Sequence, residues 1–194
     1  MGVGWNECSR LAANGGLTGD RAVAYHRAMR IIGIDPGLQV TGFGVIDVAG
    51  DRCVHVYHGA IRTRAGAPLA QRLVAIRDGV RAIAKEWEAG AGAIEASFVG
   101  NNARSALALG QARAAAIIGM ADAGLAVCDY APAVVKQTVA GYGRGEKSQV
   151  AAMVQLQLSL PAAPTPADAA DALAVAITHW AHTRLNELPR RGGA

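Results

Sequence analysis

The chain has 194 residues, of which 52% are apolar and 18% charged, with a formal net charge of +4 and a pI near 9.3. That length suits one domain with a single substantial core and argues against a second full domain. No uninterrupted apolar run approaches the roughly twenty residues that a membrane helix needs, which excludes such a span and points to a soluble, cytoplasmic protein. The basic balance admits an acidic partner such as nucleic acid without establishing one.

Residues 1–28 show no usable periodicity and no apolar signal core behind a basic start. They read as an N-terminal extension, either disordered or a mis-assigned start upstream of Met29. From there Ile31-Ile32-Gly33-Ile34-Asp35-Pro36-Gly37 reads as a buried strand that ends in an acid and turns at once. Gly33 leaves room for another backbone to come close. Thr41 to Val48 and Cys53 to His58 follow as second and third strands, which predicts an antiparallel meander. Leu69, Leu73, Ile76, Val80, Ile83 and Trp87 then recur at steps of three and four, one apolar stripe of a helix. Ala93-Ile94-Glu95 is a fourth strand, again ending in an acid.

The stretch from Asn102 to Ala123 is an alanine-rich helix packing through small residues, a candidate surface for dimerisation. Leu125 to Cys128 is a fifth strand, and Val134 to Val139 is helical. Gly141 to Gly145 forms a hinge or phosphate-approach loop before a helix from Glu146 to Leu158, and a last helix runs from Pro166 to Glu187. The main domain spans 29–188 and the C-terminal tail 189–194. Cys8, Cys53 and Cys128 are widely spaced, carry neither a disulfide framework nor a zinc pattern, and read as reduced.

Two strand-end acids, Asp35 and Glu95, join Asp168 and Asp171, whose spacing puts them on one face of the last helix's first turns. Each acid alone has an ordinary explanation. Asp35 and Glu95 fit strand ends facing water, Asp168 fits a capping box with Thr165, and Asp171 favours a helix start. Converging, all four could not stay ionised without cations. Carboxylate oxygens without cysteine or histidine favour Mg²⁺ or Mn²⁺, and two such ions about 4 Å apart clamp both oxygens of an in-line phosphodiester displacement.

Gly33-Ile34-Asp35-Pro36-Gly37 with Thr41 to Val45, Ile94-Glu95, Ser105 to Arg113, Val135-Lys136-Gln137-Thr138-Val139, Glu146 to Val150 and Ala167 to Ala174 together resemble the RuvC family of crossover junction endodeoxyribonucleases. The resemblance runs in order from Met29 to about Thr183. It implies an RNase H-like α/β fold, a five-stranded mixed sheet with helices on both faces, matching the five strands read above. It also implies a homodimer that resolves Holliday junctions in recombination and repair by paired symmetric nicks, leaving 5′-phosphate and 3′-hydroxyl ends. Two Mg²⁺ ions per subunit, replaceable by Mn²⁺, fall to Asp35, Glu95, Asp168 and Asp171, and the RuvA and RuvB branch-migration proteins are implied partners.

Lys147 matches a family lysine expected to act on the scissile phosphate, and Phe98 an aromatic expected to stack on junction bases. Arg104, Arg113, Lys136, Arg144 and Lys147 are expected on DNA; a solvated surface cation is the plain alternative for each, and core packing for Phe98. His179 lies eight residues past Asp171, about 12 Å along a helix, too far to share an ion with it, and is expected to be DNA-proximal or structural. Ala96 stands where many relatives carry glutamine, and Val99 to Asn102 also depart from the pattern, which bears on junction contacts and cleavage-sequence preference.

Two rivals share parts of this pattern. Actin-like and sugar-kinase ATPases have the acid on the first strand but need a duplicated domain and a second phosphate motif. A non-catalytic junction-binding dimer would not need all four acids.

Overall fold

The computed structural model describes residues 29–96, 103–141 and 147–187. Its strands are β1 (Met29–Asp35), β2 (Val40–Ala49), β3 (Arg52–Arg62), β4 (Ala91–Glu95) and β5 (Val127–Tyr130). The helices are α1 (Leu69–Glu86), α2 (Ala103–Asp122), α3 (Pro132–Ala140), α4 (Lys147–Gln157) and α5 (Ala167–Glu187). One sheet orders the strands β3-β2-β1-β4-β5. The first three pair antiparallel as the predicted meander, while β4 joins β1, and β5 joins β4, in parallel. The mixed sheet is therefore the expected one.

Alternation along β1 divides the molecule into two cores. Ile31 belongs to a core shared with Val135, Val139, Val154, Leu173 and Ile177, contributed by α3, α4 and α5. Ile32 and Ile34 face the opposite core, with Ile76 and Val80 of α1 and Ala112, Ala116 and Met120 of α2. The helical stripe from Leu69 to Trp87 is real, although Leu69 at its start is exposed.

Three elements differ from expectation for local reasons. The fifth strand begins at Val127 rather than Leu125, because Leu125 closes α2: its N–H reaches the Met120 carbonyl at 3.1 Å across Gly124, whose φ is +86°. β3 continues past His58 to Arg62, and Gly59 within it lies under the Phe43 ring, where a Cβ would stand 2.8 Å from Cζ. Part of the small-residue stripe of α2 is used within the chain, whereas Gly110 is exposed with open space around it. A Cβ on Gly119 would sit 2.4 Å from the Arg77 carbonyl of α1, so this stripe packs helix on helix and leaves Leu107 and Ile118 outward.

Cys53 is a free thiol, whereas Cys128 is disulfide-bonded. The reduced reading therefore holds for Cys53 and fails for Cys128; spacing along the chain carries no signature of a pairing made by tertiary proximity. No helix among the described residues is long and apolar enough to cross a membrane.

Candidate active site

The carboxyl ends of β1 and β4 form the edge on which the candidate residues gather. In the parallel register Gly33 lies beside Ala93 and Ile34 beside Ile94. The next step sets Asp35 beside Glu95, on strands about 4.8 Å apart. Alternation puts both side chains on the α5 face, since Gly33 meets α5 and Ala93 belongs to the α5 core. Strand polarity and parity alone thus bring residues sixty positions apart to one place.

Helix α5 reaches this edge because the strands beneath it have no side chains in the way. Gly42 is the β2 partner of Asp35, and a Cβ there would fall 1.9 Å from the Asp168 carbonyl oxygen. A Cβ on Gly33 would fall 2.2 Å from the Ala172 carbonyl, and one on Gly44 would fall 2.6 Å from Leu173 Cγ. These glycines let the helix backbone rest on the sheet backbone. Asp168 in the first turn of α5 and Asp171 one turn on therefore stand at the level of Asp35. All four acids are half-buried.

Among the described residues, no three histidine, cysteine, aspartate or glutamate side chains are placed to hold a metal ion. Among the described residues the acids share an edge and a face without closing into a ligand shell. Their donors are all hard carboxylate oxygens, a set that fits Mg²⁺ or Mn²⁺.

The turn after Asp35 is pinned from three sides. The buried Thr41 hydroxyl donates to the Gly37 carbonyl at 2.8 Å, the Thr63 hydroxyl donates to the Leu38 carbonyl at 2.6 Å, and Arg72 of α1 donates to the same carbonyl at 3.0 Å. Sequence reasoning did not single out Thr63 or Arg72. An arginine on an amphipathic helix gives no sign that it reaches back thirty-four residues.

A second polar cluster joins α5 to β5 and α3. The Tyr130 hydroxyl and His179 Nδ1 are hydrogen-bonded at 2.9 Å, and the Thr138 hydroxyl pairs with His182 Nε2 at 3.2 Å. Burial pushes the His179 pKa down to about 4, with His182 adding to the shift, and pushes the Tyr130 phenol up to about 12. Both are therefore neutral near pH 7. Of the two readings of His179, the structural one is correct: the side chain is buried in the core.

The expected DNA contacts fare unevenly. Phe98 and Arg144 lie outside the described residues, as does most of the Gly141–Gly145 loop. Lys147 opens α4, and its side chain also lies outside what is described. Arg104 is exposed near the start of α2, and Lys136 is half-buried on α3. Arg113 is neither free nor merely solvated: its Nη2 pairs with the Asp129 carboxylate of β5 and ties α2 to the sheet edge.

A mixed sheet with this order, flanked on both faces and carrying acids at the ends of β1 and β4, is the RNase H-like nuclease architecture. Residues 31–179 match the family described as Crossover junction endodeoxyribonuclease RuvC. A crossover junction endodeoxyribonuclease RuvC from Afipia carboxidovorans is 45% identical over 87% of this chain and 98% of its own length. One from Burkholderia ambifaria is 52% identical over 78% and 81%. Thermus thermophilus RuvC, solved in complex with a Holliday junction substrate, superposes with a TM-score of 0.77 at 34% identity, covering 81% of this chain and 96% of that one. The yeast mitochondrial Holliday junction resolvase Ydc2 shares the fold, with a TM-score of 0.55 at 9% identity. The chain belongs to the RuvC family of crossover junction endodeoxyribonucleases.

Proposed function

We propose that this chain cuts four-way DNA junctions by paired symmetric nicks, working as a homodimer in the cytoplasm in recombination and repair. The observation that carries the reading is the shared edge: Asp35 and Glu95 at one step of neighbouring parallel strands, with Asp168 resting on the Gly42 that pairs with Asp35. Asp35, Glu95, Asp168 and Asp171 would hold two Mg²⁺ ions, with Mn²⁺ able to substitute. When bound, those ions would supply activation of the attacking water and stabilisation of the departing 3′ oxygen.

The chain's own residues do the rest. The turn pinned by Thr41, Thr63 and Arg72 holds Asp35 still while a phosphodiester is presented to it. Lys147, Lys136, Arg104 and Arg144 would meet backbone phosphates, Lys147 next to the scissile one, and Phe98 would stack on a base near the branch. Arg113 would reach phosphate only by leaving Asp129, so its contribution there is small. The net charge of +4 supports binding to a polyanion. RuvA and RuvB, the branch-migration proteins, are the proposed cellular partners. The second subunit would supply the other active site, one for each strand to be nicked.

The deciding experiment is Asp35→Asn assayed on a labelled four-way junction with Mg²⁺. The variant is expected to bind the junction as the parent does and to lose cleavage. Cutting at the parent's rate would remove Asp35 from the metal site. Binding by the parent without any cutting would favour the non-catalytic junction-binding module.

A further inference from the structure

The functional reading leaves one buried polar pair unused. Tyr130 is 4% exposed and His179 is 5% exposed, and their hydrogen bond spans 49 residues of sequence. We propose that Tyr130 and His179 are positioning residues that set where α5 lies along its own axis, and so how far Asp168 and Asp171 stand from Asp35 and Glu95. The inference rests on the functional reading above.

The glycine floor fixes the height of α5 above the sheet. Gly33 and Gly42 meet helix carbonyls, backbone nitrogen and alanine, and Leu173 against Gly44 is the one branched side chain seated on these three glycines. Such contacts are tight but non-directional, and they resist sliding or rotation weakly. A hydrogen bond is directional and weakens steeply when its angle or length changes. Inside an apolar core the two groups are held to each other, because breaking the bond leaves both unsatisfied.

The location of Tyr130 makes the bond a ruler. In the β4–β5 register Tyr130 is the partner of Glu95, and its carbonyl accepts the Ala96 N–H at 2.8 Å, securing the strand end. The bond therefore runs from the neighbour of Glu95 to the helix that presents Asp168 and Asp171. A helix is axially stiff, so a slip of about 1 Å at His179 arrives undiminished at Asp171, two turns away. Metal–oxygen distances tolerate only about 0.2 Å. A slip of that size is thus large for a ligand set.

The test compares Tyr130→Phe, which keeps the ring and removes the hydroxyl, with His179→Leu and His179→Asn. Asn presents an amide oxygen near the position of Nδ1 and should rescue the bond to Tyr130. Binding of Mn²⁺ is followed by the electron paramagnetic resonance of the free ion, without DNA, beside the Mg²⁺ concentration giving half-maximal junction cleavage. Tyr130→Phe and His179→Leu are expected to weaken Mn²⁺ binding by about 10-fold and to raise the Mg²⁺ requirement alongside it, with cleavage recovering at saturating metal. His179→Asn should stay close to the parent. If Tyr130→Phe or His179→Leu lowers the melting temperature but leaves Mn²⁺ binding unchanged, the pair is packing only and the proposal is overturned; the same follows if His179→Asn behaves like His179→Leu. Normal cutting by Asp35→Asn would instead overturn the functional reading beneath it, whatever the Tyr130 variant does.

Discussion

On one face of the sheet α1 and α2 pack through Ile76, Val80, Ala112, Ala116 and Met120, and the contact is apolar almost throughout. On the other face α5 rests on bare glycine backbone and is tied to its surroundings by a buried hydrogen bond through His179 and a half-buried one through His182. Both faces bury a core of similar character, so stability alone does not explain the difference. The α5 face carries the acids at its rim, and there a shift of a few tenths of an ångström has a chemical consequence. Apolar packing specifies adjacency; close backbone contact and directional bonds specify position.

Two glycines offer the strongest way to break that contrast. Gly42→Ala places a Cβ 1.9 Å from the Asp168 carbonyl and pushes the start of α5 off the sheet. It should destabilise the fold by about 3 kcal/mol or more and abolish cleavage by whatever protein remains folded. Gly119→Ala on the opposite face also clashes, 2.4 Å from the Arg77 carbonyl. Its higher helix propensity offsets part of the strain, leaving about 1–2 kcal/mol, and the folded fraction should cut junctions normally. Urea unfolding with cleavage corrected for the folded fraction checks both; equal loss of cleavage would erase the distinction between the faces.

A pH titration sharpens the comparison at intermediate size. His179 is the buried histidine among the described residues, its folded pKa pushed down to about 4 from 6.5. The unfolded chain takes up a proton as pH falls through 6.5 while the folded chain refuses it until about 4. Stability should therefore be level above pH 6.5 and decline below it, by up to about 3 kcal/mol at the foot of the window. His179→Asn should flatten most of that slope in urea unfolding across the same range. What remains would belong to His55, His58 and His182, whose pKa values are also lowered by burial.

The smallest effect is expected at the Arg113–Asp129 pair, whose side chains are 23% and 55% exposed. A double-mutant cycle with Arg113→Ala and Asp129→Ala should return no more than about 1 kcal/mol of coupling. A larger value would mean that the α2 side also relies on directional bonds.

Much of this was legible in the residues. β1, the stripe of α1 and the full length of α5 follow from periodicity, and Gly33 already signalled a close approach, though not that the visitor is α5. All four acids were visible at element ends; that they share one edge required the register between β1 and β4 and the contact of Gly42 with Asp168. The shortened start of β5 was hidden because Leu125 and Ala126 look like strand residues while serving a helix terminus. The Tyr130–His179 bond was out of reach for a stronger reason: nothing local to either residue encodes a partner on another layer of the fold.

The order of elements along the chain gives the glycine floor a temporal meaning. Synthesis delivers Asp35 and then Glu95 early, on strands that pair with their neighbours, but α5 emerges last of the described elements. Until it settles onto Gly33, Gly42 and Gly44, a nascent chain holds only Asp35 and Glu95 of the four candidate acids in place. A ribosome that stalls before α5 therefore releases a fragment that carries Asp35 and Glu95 but neither Asp168 nor Asp171.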